Sequence, residues 1–214
     1  MKPLKTELQD AETLRDLGSA SVQIVHDLKN QLNGLKLYAT FLRKRMEKAE
    51  RPADEQETLA KLISGLERAA SDMNVLVRFG RSLELRRQPG TDLARLLQDS
   101  ADGASVETVG GPFEGDFDPV LLAEALKNIT AGASGESGGV ASDGVTQRVR
   151  LSGDGAGALI EWQGAAIHDG EDPFRSLAGA SGLRMALAAK IVRAHGGEVS
   201  YEGGRIRARL PLQR

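Results

Sequence analysis

The sequence contains no cysteine, and only 4% of its 214 residues are aromatic. The absence of cysteine excludes a disulfide framework and thiol catalysis, and it favours a cytoplasmic location. With so few aromatic residues, the core must be built from Leu, Ile, Val and Ala. That composition suits helix bundles.

The sequence also lacks a long apolar run and an excess of one charge. No segment approaches the roughly 18 apolar residues of a membrane span, and the polar start MKPLKTELQD lacks the apolar core of a signal peptide. The formal net charge is −2, without a long basic tract. We therefore expect no membrane and no nucleic-acid partner. The length and the 40% hydrophobic content are sufficient for one or two compact domains.

An amphipathic pattern organises the N-terminal part of the chain. It predicts one long helix from about Leu4 to Lys48, with a seam of mostly apolar residues at alternating spacings of three and four. These seam residues are Leu14, Leu17, Ser21, Ile24, Leu28, Gln31, Leu35, Tyr38 and Leu42. Such a seam is typical of a helix that packs along other helices.

His26 lies midway between two seam residues and is therefore predicted to point away from the seam. Lys29, Asn30 and Asn33 share its face, and Asp27 follows it directly. An exposed imidazole beside a carboxylate on a rigid helix is well placed to act as a nucleophile. The alternative is a solvated surface histidine, and the spacing alone does not separate the two.

A second long helix follows a break at Arg51-Pro52-Ala53, and Asp54 with Glu57 predicts a capping box at its start. Its apolar seam consists of Leu59, Leu62, Leu66, Ala69, Met73, Leu76, Gly80 and Leu83. Two such helices form a hairpin. Because each helix carries a continuous apolar stripe, the hairpin cannot cover itself, and we expect a dimeric four-helix bundle.

Beyond Leu85 the pattern predicts an α/β sandwich, with one mixed sheet and helices on a single face. The predicted elements are a strand over Glu84–Pro89, a helix over Leu93–Ser100 capped by Thr91-Asp92, strands over Val106–Val109 and Phe113–Phe117, a helix from Asp118-Pro119 through Ile129, a loop over Gly132–Gly144, strands over Val145–Leu151 and Ala158–Trp162, a helix over Gly182–Ala194, and strands over Glu198–Tyr201 and Ile206–Leu210. The predicted fold class is α+β, with domains at 1–84 and 85–214.

The two remaining histidines have structural interpretations. His168 is predicted to be exposed in a loop rich in Gly and Asp. His195 is predicted to cap carbonyl groups at a helix C-terminus. Three scattered histidines without cysteine do not form a zinc-ligand pattern, so we expect no metal site.

The run His26-Asp27-Leu28-Lys29-Asn30-Gln31-Leu32-Asn33-Gly34-Leu35 resembles the phosphoacceptor box of two-component sensor histidine kinases. In that family the histidine is phosphorylated on a ring nitrogen. The resemblance implies that Asp27 orients and polarises His26, and that Asn30 positions water for dephosphorylation. These three residues are the predicted catalytic site.

Residues 85–214 resemble the ATP-binding domain that follows this box in the same family. The segment Asp118–Ser134 resembles its Asn box, Trp162–Ile167 its first glycine box, Asp172-Pro173-Phe174 its phenylalanine motif and Gly182–Gly197 its second glycine box. The resemblance thus implies a histidine-kinase-ATPase-like sandwich after the bundle.

Three departures from the family pattern fall at nucleotide-contact positions. Gly132 stands where the family has a magnesium-binding Asn, and glycine has no side-chain oxygen for Mg²⁺. Trp162 stands where an Asp accepts a hydrogen bond from the adenine amino group, which an indole cannot do. Arg184 replaces a glycine that lets the backbone approach phosphates. The resemblance therefore implies a degenerate domain that binds neither ATP nor a metal.

A phosphoacceptor helix beside a degenerate ATP-binding domain is the architecture of histidine phosphotransferases of the ChpT type, which the chain resembles. This implies a homodimer that passes phosphoryl groups between receiver-domain aspartates through His26, without autokinase activity and without a cofactor of its own. The expected partners are response-regulator receiver domains, which supply Mg²⁺, and a hybrid histidine kinase as a further candidate. Lys29 and Lys36 are predicted to complement the acidic pocket of the receiver.

Two alternatives from other functional classes stay open. One is an active histidine kinase with a divergent ATP pocket. The other is a non-catalytic pseudokinase that acts as a scaffold for two-component proteins. Retained ATP affinity favours the first, and tight receiver binding without phosphorylation of His26 favours the second.

Overall fold

A computed structural model gives the fold and describes residues 25, 28–44, 53–101, 103–135, 147–165, 167, 172–175, 177 and 179–212. The chain divides into two compact units, Met1–Ser82 and Leu83–Arg214. We call the first the hairpin unit and the second the sandwich unit. Among the described residues, no helix combines the length and the apolar character needed to cross a membrane.

In the hairpin unit, residues 28–44 form helix α1 and Ala53–Gly80 form helix α2. Ala39 of α1 joins Leu59 and Ile63 of α2 in a small buried core, to which Leu66 adds a partly buried side chain. Both helices were predicted from the spacing of their apolar residues. The parts of the predicted first helix that lie before residue 25 and after residue 44 are outside the described residues.

The predicted capping box at the start of α2 is wrong. The helix begins at Ala53, so Asp54 lies in its first turn rather than before it. There its carboxylate lies near the positive end of the helix dipole, and its backbone carbonyl accepts a hydrogen bond from the Thr58 hydroxyl at 2.8 Å. The sequence pattern located the helix start to within one residue and misassigned the role of Asp54.

The sandwich unit contains three helices and seven strands among its described residues. In chain order they are β1 (Gln88–Asp92), α3 (Leu93–Ser100), β2 (Ser105–Val109), β3 (Glu114–Phe117), α4 (Pro119–Ala133), β4 (Arg148–Asp154), β5 (Gly157–Gln163), α5 (Gly179–Ala194), β6 (Glu198–Glu202) and β7 (Arg205–Pro211). Aspartates open two of the helices as predicted. Asp92 accepts from the N–H groups of Ala94 and Arg95, and Asp118 caps α4 in the same way.

Five strands form one mixed sheet in the order β2-β4-β5-β7-β6. Strands β2 and β4 are parallel, and the other neighbouring pairs are antiparallel. The core lies against one face of this sheet, where eight apolar residues of the three central strands are at most 1% exposed: Val149, Leu151, Ala158, Ile160, Trp162, Ile206, Ala208 and Leu210. Helix α4 lies on this side, because the Trp162 indole bonds to Thr130 of α4. Helices α4 and α5 also pack on each other.

The prediction of a single sheet is wrong, because β1 and β3 pair with each other in a separate two-stranded antiparallel sheet. The predicted strand over Glu84–Pro89 also begins too early. The backbone N–H of Arg86 donates to the Asp118 carboxylate at 2.8 Å instead of to a neighbouring strand. An alternating pattern finds strands but does not say which strands pair.

Two helix boundaries also differ from the prediction. Helix α4 continues through Ala133, four residues past Ile129, so Gly132 is helical and the predicted loop cannot begin there. Helix α5 begins at Gly179, three residues before Gly182. The rest of the predicted loop, residues 136–144, lies outside the described residues.

Candidate functional site

The predicted catalytic residues lie on or next to α1. His26 and Asp27 are outside the described residues. Asn30 is described, and it is helical and exposed. Asn33, three residues further on, is also exposed. The face of α1 that the sequence assigns to His26 is therefore exposed at both of its described asparagines.

Helix α1 uses a different face for its contact with α2. Ala39 is 4% exposed and Leu32 is half-buried, whereas Leu37 is 69% exposed. At about 100° per residue, Leu37 and Asn30 lie on the opposite side of α1 from Ala39. The side that carries Asn30 is thus directed away from the partner helix within the chain.

Lys36 is already engaged within the hairpin unit. Its ammonium lies 2.8 Å from the carboxylate of Glu67 on α2. The hydrogen bond and charge of Lys36 hold the pKa of the Glu67 carboxyl below its usual value. Lys36 was predicted to recognise a partner, and this ion pair was not predicted, because spacing along one helix does not reveal charges that face it from another.

The predicted apolar seam of α1 is left uncovered within the single chain. Its described members keep a large exposed fraction of their surface: Leu28 42%, Leu35 55%, Tyr38 69% and Leu42 50%. Leu62 of the predicted α2 seam is 53% exposed. Soluble monomers rarely expose so many large apolar side chains together, so this seam is a candidate interface.

In the sandwich unit, Trp162 belongs to the core rather than to an open pocket. Its side chain is fully buried, and its indole N–H donates to the Thr130 hydroxyl at 2.9 Å. That hydroxyl donates in turn to the Leu126 carbonyl at 2.9 Å. Both polar atoms are therefore satisfied inside the protein, as buried polar groups require.

Gly132 is a second position where the sandwich unit is tightly packed. A Cβ atom at this residue would overlap Sδ of Met185 and lie 2.9 Å from its Cγ. Met185 is 2% exposed and belongs to α5. Glycine at 132 thus allows α4 and α5 to approach closely. From the sequence, Gly132 was interpreted only as the loss of a magnesium ligand, because its contact with α5 depends on tertiary packing.

His195 and Asp118 form a buried polar cluster at the ends of α5 and α4. Nδ1 of His195 lies 2.8 Å from the Ile191 carbonyl, which confirms the predicted capping of the helix C-terminus. Nε2 accepts a hydrogen bond from the Asp118 backbone N–H at 3.0 Å. The two bonds together specify a neutral imidazole with its proton on Nδ1.

The pKa values of both side chains follow from this arrangement. Burial lowers the pKa of the His195 imidazole, although its contact with Ile191 partly opposes the shift. Burial raises the pKa of the Asp118 carboxyl, but hydrogen bonds from backbone N–H groups, including that of Arg86, outweigh it and leave the pKa below its usual value. This cluster stabilises the sandwich unit. The other predicted loop histidine, His168, lies outside the described residues.

Comparisons with known proteins show the fold. No family model matches the sequence, and no curated protein matches it. Among solved structures, full-length ShkA in complex with AMPPNP is 18% identical, with a TM-score of 0.68 over 88% of this chain and 44% of that chain. The Acinetobacter baumannii histidine kinase AdeS is 13% identical, with a TM-score of 0.54 over 86% of this chain and 97% of that one.

The ATP binding domain of PrrB from Mycobacterium tuberculosis is 24% identical over 60% of this chain and 98% of that domain, with a TM-score of 0.47. The chain spans less than half the length of the ShkA structure. At these identities the likeness describes the fold alone. The chain has a mixed helix and sheet fold like that of the ShkA and AdeS structures.

Proposed function

We propose that this protein is a phosphorelay histidine phosphotransferase that carries phosphoryl groups between receiver-domain aspartates on His26, without binding ATP. The observation that supports this most is the filled interior of the sandwich unit. Gly132 and Trp162 stand at positions that the family resemblance assigns to magnesium and adenine. Gly132 packs against Met185, and Trp162 is buried against Thr130.

The proposed reaction is a reversible transfer in which the phosphorus–oxygen bond of a receiver aspartyl phosphate breaks and a phosphorus–nitrogen bond to His26 forms. The aspartate leaves as a carboxylate, and the imidazole loses its proton to solvent after the attack. The receiver supplies Mg²⁺, which neutralises charge on the phosphoryl oxygens. This chain supplies a neutral imidazole as the nucleophile.

Asp27 and Asn30 have separate proposed roles. Asp27 stabilises the positive charge that develops on the imidazole as it attacks. Asn30 is uncharged and exposed, and it holds water near the aspartyl phosphate of a docked receiver. Asp27→Asn is therefore expected to slow transfer by a factor on the order of 10²–10⁴. Asn30→Ala is expected to leave transfer nearly intact and to slow any dephosphorylation of the receiver.

The protein is further proposed to act as a homodimer. The exposed seam through Leu28, Leu35 and Leu42 supports a dimer in which a second copy packs on it. A bundle of four helices buries the apolar stripes of α1 and α2. An interface larger than the ~1,600 Å² of a standard complex is expected.

An active histidine kinase is the second candidate. The similarity of the fold to the histidine kinase AdeS and to AMPPNP-bound ShkA favours it. In this second proposal, the ATP pocket differs from the family pattern in sequence but still binds ATP. A nucleotide-binding measurement separates the two proposals, since only the kinase requires ATP.

The test of the phosphotransferase is transfer from a phosphorylated receiver. Receiver domains from the same genome are labelled with a radioactive small-molecule phosphodonor and mixed with the protein. Acid-labile, base-stable label is expected on the protein and is expected to disappear in His26→Ala. Label that persists in His26→Ala would overturn the assignment of His26.

A further inference from the structure

The segment that follows the hairpin unit is bonded to the sandwich unit at two consecutive residues. Helix α2 ends at Gly80, and residues 81–87 lead from it to β1, which begins at Gln88. We call residues 81–87 the connector. Arg86 and Arg87 are exposed, but the backbone of the first and the guanidinium of the second both form hydrogen bonds with the sandwich unit.

Three hydrogen bonds join the connector to β3, to the start of α4 and to the end of α5. The Arg86 backbone N–H donates to the Asp118 carboxylate at 2.8 Å. The Arg87 guanidinium donates to the Asp116 carbonyl of β3 at 3.2 Å and to the carbonyl of Ala194, the last residue of α5, at 3.1 Å. A guanidinium carries five N–H donors in one plane, so it can bridge two elements. We call these three hydrogen bonds the connector clamp.

His195 is bonded to the residue that supplies the carboxylate of the clamp. The imidazole is 1% exposed, and its Nε2 accepts a hydrogen bond from the Asp118 backbone N–H at 3.0 Å. The carboxylate of Asp118 is in turn the acceptor for Arg86. The connector, Asp118 and His195 are thus linked by consecutive hydrogen bonds, and these require an unprotonated Nε2.

We propose that the connector clamp is a pH-sensitive switch that opens when His195 is protonated. The proposal does not rest on the phosphotransferase function. With the clamp closed, residues 81–85 are the tether between α2 and the sandwich unit. With the clamp open, the tether extends to Gln88, where β1 begins. Acidification therefore lengthens the tether between the two units.

Protonation weakens the clamp at both of its residues. A proton on Nε2 turns the acceptor of the Asp118 N–H into a donor, so this hydrogen bond is lost and Asp118, which holds Arg86, has to move. The imidazolium also repels the guanidinium of Arg87, whose charge acts on the same ring. Because the coupling between two bound charges is reciprocal, a cation that disfavours the proton is itself disfavoured by it.

Three charged groups face the imidazole, each from a different segment. They are Arg87 of the connector, Asp116 of β3 and Asp118 at the start of α4. Burial and the arginine favour the neutral form, whereas the contact with Ile191 and the two acids favour the charged form. Burial has the largest effect, so the pKa of His195 lies below its usual value. The clamp is therefore closed at neutral pH and opens below the usual imidazole pKa of about 6.5.

The experiment measures amide hydrogen exchange of the connector in the full chain, by mass spectrometry with fragmentation that resolves single amides. Protection factors at pH 7.5 and at pH 5.5 are compared after correction for the intrinsic pH dependence of exchange. Strand β5, Gly157–Gln163, is the internal reference for global unfolding. His195→Gln is the matched variant, because it cannot titrate and because the chain contains two further histidines, His26 and His168.

In the unmodified protein, the protection factor of the Arg86 amide is expected to fall about tenfold from pH 7.5 to pH 5.5. That factor corresponds to the loss of a hydrogen bond to a charged acceptor. The β5 reference should keep its protection, and His195→Gln should show no fall at Arg86.

A second pair of variants tests the guanidinium. Arg87→Gln should lower the protection of the Arg86 amide about 2–10-fold already at pH 7.5, because two bonds of the clamp are removed. Arg95→Gln is its control, at an exposed arginine of α3 with only a 3.9 Å contact to Asp99, and it should leave the connector unchanged. Equal protection in the two variants would show that Arg87 does not hold the connector and would overturn the clamp.

Three results would overturn the switch. Equal protection of the connector at the two pH values would show that the clamp does not respond to protonation. An equal fall in His195→Gln would assign the pH effect to another group, and a parallel fall in β5 would show global unfolding instead of an opened clamp. Should His195→Gln fail to fold by circular dichroism, His195→Asn gives the same test with another side chain that does not titrate.

Discussion

The two units bury their apolar side chains to different extents. In the sandwich unit, eight inward apolar residues of the central strands β4, β5 and β7 are at most 1% exposed. In the hairpin unit, the buried core of the described residues contains only Ala39, Leu59 and Ile63, while Leu35 and Tyr38 are 55% and 69% exposed. The sandwich unit has a core of its own. The described part of the hairpin unit leaves these two side chains largely uncovered.

This difference bears on function. The unit with the uncovered seam carries the predicted phosphoacceptor box, and its partners are proposed to be a second copy and a receiver. The unit with the complete core carries Gly132 and Trp162, whose surroundings are filled by protein atoms. Under the proposed function, the packing at these two positions and the predicted phosphoacceptor His26 favour a protein that receives phosphate rather than one that generates it.

The largest expected effect is the loss of the dimer in Leu28→Asp. A carboxylate buried in the seam without a partner costs several kcal/mol, so the variant should dissociate or unfold. Light scattering at micromolar concentration measures the mass. The matched control is Val120→Asp, at a side chain that is 75% exposed in the sandwich unit, which should keep the dimer. A monomeric unmodified protein would contradict the whole bundle.

The next effect concerns the core of the sandwich unit. Trp162→Ala should lower the free energy of unfolding by about 3–5 kcal/mol, because a large cavity remains in a packed interior. Trp162→Phe keeps most of the volume and loses the hydrogen bond to Thr130, so it should cost less, about 1–2 kcal/mol. Urea unfolding followed by far-UV circular dichroism gives both values. Equal costs for the two variants would show that packing around the indole is unimportant.

A smaller effect is expected from restoring the family's asparagine at position 132. Gly132→Asn forces a side chain into Met185 and should cost about 1–3 kcal/mol. Combining it with Met185→Ala should recover part of that cost, as expected for residues in contact. Thermal melting of the single and double variants checks the coupling. A destabilisation that is purely additive would mean that residue 132 and Met185 do not compete for space.

The smallest effect is a pH dependence from His195. Because its pKa is lower in the folded protein, the unfolded state binds its proton first as the pH falls. The contribution of His195 is therefore present above its unfolded pKa of about 6.5 and is lost as the pH falls through the lower folded value. Protonation of Nε2 also places an N–H group against the Asp118 backbone N–H, so the hydrogen bond between them is lost.

The control for this prediction is His195→Gln, which cannot titrate. The urea concentration at the midpoint of unfolding is measured at pH 7.5 and at pH 5.5. Between these two values it should fall more for the unmodified protein than for the variant. Asp118 does not interfere, because its lowered pKa confines its contribution to a more acidic window, below its unfolded value of about 4. Identical pH slopes for the two proteins would show that His195 is protonated equally in both states.

The sequence predicted features that depend on near neighbours. The caps formed by Asp92 and Asp118 were predicted correctly, because such caps involve residues two or three positions away. The contact of His195 with Ile191 was predicted for the same reason. Its bond to the Asp118 N–H was not, because that contact joins residues 77 positions apart. The spacing of residues within one helix or strand carries no information about contacts between residues so far apart in the sequence.

At the candidate site, too, contacts between residues distant in sequence were not predicted. Gly132 and Trp162 stood out as departures from a family pattern, but their contacts with Met185 and Thr130 depend on how α4, α5 and β5 pack. The ion pair of Lys36 with Glu67 depends on the register between α1 and α2. His26 and Asp27 lie outside the described residues, so their roles stay predictions.

The most direct measurement of the central claim compares two phosphate sources. The protein is incubated with radiolabelled ATP and Mg²⁺, and in parallel with a receiver that carries a labelled aspartyl phosphate. Label is expected on His26 from the receiver and none from ATP. Labelling of His26 by ATP in the absence of any other kinase, or micromolar affinity for ATP with Mg²⁺, would contradict the account.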